Sequence, residues 1–278
     1  MQINPITKKD IKITSRGKRF FIELFIYEVI VMIAFIIAID TFFGKGNVKS
    51  ADYNSFSGLF PAVSIVQMII VSFIIPVMTG ASISGEKERQ TFDIMLTTAM
   101  KPFSIVWGKL SSVVIRVLMF VIASLPLVAV SFVSGSISWS MLFMFIGMMV
   151  VYSFFVASIG IYASAICRKS MTAIILSFTI MFFMALGTIL IAAVEIISFG
   201  KLIISSIFLL FNPILYFEEL FMIANGKMYF ISVSSFEDLA SFDKGYSWIL
   251  ISTIAMIIMT VLFMYLAARR IDPLKRRK

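Results

Sequence analysis

Residues 84–109, SGEKERQTFDIMLTTAMKPFSIVWGK, lie between two long apolar runs and open with four successive charges, Glu86 to Arg89. Each flanking run is long enough, as helix, to cross about 30 Å of hydrocarbon. The rest of the chain repeats that pattern: its 278 residues are 60% hydrophobic and only 14% charged, with a mean hydropathy of +1.02. Soluble domains are about 45–50% apolar and cannot hide more at this length, so the bilayer is the solvent. Six segments qualify as spans, at 20–43, 59–83, 104–133, 139–166, 171–197 and 248–268. Backbone groups in hydrocarbon must be satisfied within their own segment, which makes these runs helices and not barrel strands. The predicted fold is therefore an all-α integral membrane protein, a single domain over 1–278.

Charge orients it. Six basic residues precede the first span (Lys8, Lys9, Lys12, Arg16, Lys18, Arg19) and six follow the last (Arg269, Arg270, Lys275, Arg276, Arg277, Lys278). The 84–109 connector adds four, and Arg168 with Lys169 two. The other side has only Lys45, Lys49, Lys201, Lys227 and Lys244, over far more sequence. The positive-inside rule places both termini and the connector in the cytoplasm. That arrangement needs an even number of spans. The expected layout is a cytoplasmic arm at 1–19, a cytoplasmic connector helix at 84–103, an external segment at 198–247 and a cytoplasmic basic tail at 269–278. The first span is too long for a signal-peptide core and lacks a cleavage signature, so it is read as retained.

The run at 202–211 is too short to cross and reads as re-entrant or interfacial. After it, Asn212 with Pro213 signals a helix start and Asn225-Gly226 a stop. Ser234 with Glu237 resembles a capping box for a second short helix. Phe217 and Phe221 are expected to be buried, with Glu218 and Glu219 facing water or an exit path.

Within the connector, Glu86 and Glu88 fall where a helix N-terminus favours acid. Phe92, Met95, Leu96, Ala99 and Met100 recur on one helical face, and Pro102 ends the segment. Such a helix either lies on headgroups or docks a protein partner. Here the sequence resembles the ABC-2 type transporter permeases. Gly85, Glu86, Glu88, Thr91, Pro102, Gly108 and Lys109 match the stretch those proteins carry after their second span. Gln90 stands where they have glycine, and Phe92 and Asp93 where they have leucine and glutamate. The resemblance implies the membrane subunit of an ATP-driven exporter in a bacterial-type plasma membrane, paired with a second copy or a related permease. A separate ABC ATPase subunit would bind ATP and Mg, so that no cofactor belongs to this chain. The connector would be the coupling helix seated on it, through Gly85, Glu86, Glu88, Thr91, Phe92, Met95, Leu96 and Pro102. No G-x-x-x-x-G-K-[ST] phosphate loop occurs in the sequence, in keeping with a non-enzymatic chain. No nucleic-acid partner is expected.

Four ionisable residues fall inside spans, where each is costly and a functional candidate by default. Glu23 sits one turn after Arg19 and can pair with it. Glu195 is near the outer end of the fifth span and can reach water. Glu28 and Arg116, opposite in sign and at similar depth on spans of the same direction, are expected to pair or to line a polar path. Gly80 with Ser84, and Gly160 with Ser164, make small-xxx-small pairs that permit close helix approach. Pro76 and Pro126 are expected to kink the second and third spans.

Histidine is absent, which removes the usual general base and the commonest metal ligand. Cys167, the single cysteine, excludes an internal disulfide and reads as a helix-end residue. No nucleophile–base set points to an enzyme. An ATP-independent transporter or channel is the competing reading, against which stands the lack of paired Gly/Pro-broken spans. A non-transporting scaffold is the third. The apolar walls favour amphipathic or hydrophobic substrates such as peptides, drugs or lipids.

Overall fold

The computed structural model describes Thr7 and residues 17–43, 58–92, 101–130, 138–199, 205–225 and 246–272, and among these every regular element is helical. In chain order they are α1 (Lys18–Phe43), α2 (Leu59–Glu88), α3 (Pro102–Ala123), α4 (Leu125–Ala129), α5 (Trp139–Ile166) and α6 (Ser170–Phe182). A π turn, Phe183–Gly187, joins α6 to α7 (Thr188–Phe199); then come α8 (Ser205–Leu209), α9 (Pro213–Asn225) and α10 (Tyr246–Ile271). Among the described residues, six helical stretches are long and apolar enough to cross a membrane: α1, α2, α3, α5, the continuous α6–π–α7 rod, and α10.

Two boundaries differ from the sequence reading. The second span does not stop at Ile83 but runs on to Glu88, so Glu86 and Glu88 end a helix instead of starting one. The third stops at Ala123, because Pro126 lies in the first turn of a separate short helix and Ser124 is the joint. Pro126 thus breaks that span outright, whereas Pro76 sits inside an unbroken α2.

α5 is the hub. It is apolar on every side and packs against α2, α3, α6, α9 and α10. Within its apolar stretch 61% of residues are buried, against 22% in α1 and 17% in the α6–α7 rod, which form the periphery. Small residues set its distance from α2. A Cβ on Gly160 would lie 1.8 Å from Thr79 Oγ1 and 2.7 Å from Thr79 Cβ; Gly80 serves the neighbouring contact with α6, where its Cβ would meet the Ile174 backbone at 3.0 Å. One turn on, the Ser164 hydroxyl accepts the Ser84 N–H at 2.8 Å and that of Ile83 at 3.0 Å. The two small-xxx-small pairs therefore serve packing within one chain, Gly160, Ser164 and Ser84 between α2 and α5 and Gly80 between α2 and α6.

At the end away from the connector, α9 plugs the bundle. Asn212 caps it, its Oδ1 accepting from Ile214 N (2.8 Å) and Leu215 N (3.2 Å), with Pro213 at the first helical position as the sequence signals. The same side chain reaches the π turn through Nδ2, which donates to the carbonyls of Ala185 (2.7 Å) and Met184 (3.3 Å) and to Thr188 Oγ1 (2.7 Å). Phe217 and Phe221 are fully buried, Phe217 edge-on to Phe145 and Tyr152, and Phe221 edge-on to Phe60. Glu218 is buried as well, which removes water from the two surroundings expected for it, water or an exit path. Burial, and then the neighbouring Glu218, hold the Glu219 carboxyl above the usual carboxylate range. The capping-box helix proposed around Ser234 lies outside the described residues.

Candidate functional site

The connector end of the bundle answers why an apolar chain keeps four charges in succession: three of them tie α2 to three different helices. Glu86 forms an ion pair with Lys109 of α3. Lys87 turns to α5, its Nζ donating to the carbonyls of Ser164 (3.3 Å), Ala165 and Cys167 (3.2 Å), which the end of that helix leaves without amide partners. Glu88 turns to α6, its Oε2 accepting from Ser170 N (3.1 Å) and Ser170 Oγ (2.8 Å). A carboxylate at a helix N-terminus is favourable both as a cap and by the helix dipole. Thr7 adds a tie from the N-terminal arm, donating through Oγ1 to the Gly108 carbonyl of α3 at 3.1 Å.

α2 then ends in a Schellman motif. Thr91 N–H bonds to Glu86 O at 3.0 Å and Gln90 N–H to Lys87 O at 3.2 Å, with Gln90 left-handed at φ 57°. This is where the permease pattern has glycine, and the backbone gives the reason: only glycine holds that conformation without a steric cost, about 1–2 kcal/mol for an L-residue. Gln90→Gly is accordingly expected to raise stability by up to about 1 kcal/mol, read as a higher unfolding midpoint in detergent. Phe92 follows, buried, with Lys87 Nζ 5.7 Å from its ring centroid.

Of the residues assigned to coupling, Gly85, Glu86, Glu88, Thr91 and Phe92 cluster at this terminus, with Gly85 against Ser170. Pro102 opens α3 at its first turn, after Lys101 as N-cap. Met95 and Leu96 lie outside the described residues. The sequence reading missed the roles of Lys87 and Ser170, whose signal was positional: a lysine one turn from a helix end, and a serine where the next span begins.

The intramembrane charges are arranged differently from the expectation. Arg116 pairs with Glu23, at 3.8 Å, and not with Glu28. The aromatic stack explains this: Phe120 lies between Phe20 (5.7 Å) and Tyr27 (5.4 Å), and the Tyr27 hydroxyl meets Ser124 Oγ at 3.4 Å. That register sets Glu28 beside the end of α3, about two turns beyond Arg116. The Gln67 Nε2 also donates to Ser124 Oγ, at 2.8 Å, closing a small polar cluster. Glu195 is half-buried, and its Oε2 accepts from the N–H of Ser205 (2.9 Å) and from its hydroxyl, so it caps α8. Among the described residues no group of three or more His, Cys, Asp or Glu is placed to hold a metal.

No curated protein matches the chain. A family model described as "ABC-2 family transporter protein" matches residues 4–270. That match takes in all six spans and the charged terminus of α2. The chain belongs to the ABC-2 transporter family, as a multi-pass membrane permease subunit of an ABC transporter.

Proposed function

We propose that this permease works with a separate ATPase subunit, which binds ATP and Mg, and exports an amphipathic or hydrophobic substrate across a bacterial-type plasma membrane. Both termini and the connector face the cytoplasm, as the basic residues at this end require. The observation that carries the reading is the three-way tie beneath the connector. A subunit that grips Met95 and Leu96 pulls, through the buried Phe92, on a rigid terminus. Glu86, Lys87 and Glu88 pass that displacement to α3, α5 and α6 together, as a rigid-body shift demands. Gly85 and Thr91 shape the terminus, and Pro102 starts α3 directly after the connector. An apolar groove of about 480 Å³ between α1 and α2, which includes Glu23 and Tyr27, suits an amphipathic solute. The functional unit contains a second copy or a related permease.

The test is copurification with the ATPase encoded beside it, reconstitution, and a screen for compounds that stimulate ATP turnover. Met95→Asp is expected to abolish stimulation while leaving the permease folded. An ATPase that binds and responds equally to that variant removes the docking assignment. Orientation is checked in a Cys167→Ser background by Arg89→Cys, which must resist an impermeant thiol reagent added to intact cells.

A further inference from the structure

Beside the connector terminus, the ends of α5 and α10 enclose a cavity of about 340 Å³. Its polar lining is cationic: Arg168, Arg269 and Arg270 surround it, and Lys87 stands behind them, engaged with the α5 carbonyls. Among the described residues Asp272 is the single acidic one in the lining. Among the described residues none of the three guanidinium groups has an ion pair. The remaining surface is apolar, from Phe92, Ala165, Ile166 and Ile271. Ile166 is 39% exposed.

We propose that this cavity binds the headgroup of an anionic phospholipid. Three observations select that ligand. First, depth: Arg269 and Arg270 occupy the last turn of α10, a 26-residue span. At 1.5 Å per residue that span outreaches a hydrocarbon core of about 30 Å, which leaves the pair at headgroup level. Second, charge geometry: guanidinium forks bind phosphate oxygens two at a time, and basic pockets between spans on the cytoplasmic side take anionic headgroups. Third, the cavity is amphipathic. A free phosphate has no use for Ile166, Ile271 and Phe92, whereas a glycerol backbone and the first methylenes of an acyl chain do. The lipid then rests against Phe92 and the carbonyl-bound Lys87, so its presence steadies the terminus from which the connector departs. Naming the leaflet as cytoplasmic rests on the orientation proposed above; the site itself does not.

The delipidated full chain in detergent is titrated with short-chain phosphatidylglycerol or phosphatidylcholine, and bound lipid is counted by native mass spectrometry. Phosphatidylglycerol is expected to bind at least about tenfold more tightly. The triple variant Arg168→Gln/Arg269→Gln/Arg270→Gln is expected to lose that preference. Lys18→Gln/Arg89→Gln/Lys101→Gln, which removes as many charges from the same face, is expected to keep it. Equal binding of the two lipids by the unmodified chain overturns the proposal, whether or not the variants fold. So does an equal loss in both triple variants, which reduces the effect to general surface attraction. Displacement of phosphatidylglycerol by excess inorganic phosphate overturns the lipid assignment in favour of a free-anion site. None of these readouts depends on transport or on the ATPase.

Discussion

Asn212→Leu will lower the stability of the folded permease by about 2–4 kcal/mol, seen as an earlier unfolding transition in detergent. One buried side chain performs two tasks there. Its carbonyl oxygen caps α9, worth about 1 kcal/mol, and its amide nitrogen satisfies two π-turn carbonyls and the Thr188 hydroxyl. Leucine is similar in size but offers neither group; the Met184 carbonyl keeps the Thr188 hydroxyl as donor, while a buried carbonyl that loses its donor, as at Ala185, costs about 1–3 kcal/mol. Asn212→Asp separates the tasks. It keeps the cap acceptor and removes the donor, placing a carboxylate against carbonyl oxygens, so it should be at least as damaging as leucine. A wild-type transition for Asn212→Asp would mean the bonds to the π turn contribute nothing.

The second large effect is at Gly160. Alanine there places a methyl group 2.7 Å from Thr79 Cβ, a contact that no rotation of the threonine relieves, because Cβ does not move with its rotamer. α2 and α5 must separate, at a cost of about 1–3 kcal/mol. The loss extends to the Ser84–Ser164 bonds one turn away. Gly147, on the same helix, has no atom within 4 Å of its missing Cβ. Gly147→Ala is therefore expected to stabilise slightly, by up to about 1 kcal/mol from helix propensity. Opposite signs for one chemical change on one helix are the signature of close packing. If both substitutions stabilise, α2 and α5 do not approach as described.

Much of this architecture was readable in the residues because bilayer physics leaves few options. Apolar length gave the spans, and the Asn212-Pro213 pair gave the start of α9. The glycine and serine pairs on the second and fourth spans marked where backbones meet. Register between helices was less legible. Assigning Arg116 to Glu28 assumed equal depth from segment ends, whereas the Phe20–Phe120–Tyr27 stack slides α1 so that Glu23 is the partner. The charged run misled for a related reason. GEKER reads as the start of something new, but helix ends need polar groups as much as starts do. Here one helix end serves the ends of its neighbours too, a long-range fact with no local spacing. The left-handed Gln90 was concealed because the residue that normally announces such a turn is absent.

The π turn at Phe183–Gly187 has one further consequence. Its i→i+5 ladder fits an extra residue into a turn, so everything beyond it lags by about 100° the phase that a regular α-helix of the same length would give. The α6–α7 rod is therefore keyed to two different azimuths. Before the turn, Ala173 and Ser177 point into the bundle, and Ser170 is held by Glu88; beyond it, Ala192 and Glu195 meet α8. An uninterrupted α-helix of the same composition could satisfy one set or the other, not both. Deleting a single residue between 183 and 187 would leave a continuous α-helix with Ala192 and Glu195 still against Leu209 and Ser205, whereas winding the turn as regular α-helix at full length would swing them off. The fifth span thus works as a phase adapter between the two ends of the molecule, and the widened turn is what lets them be in step.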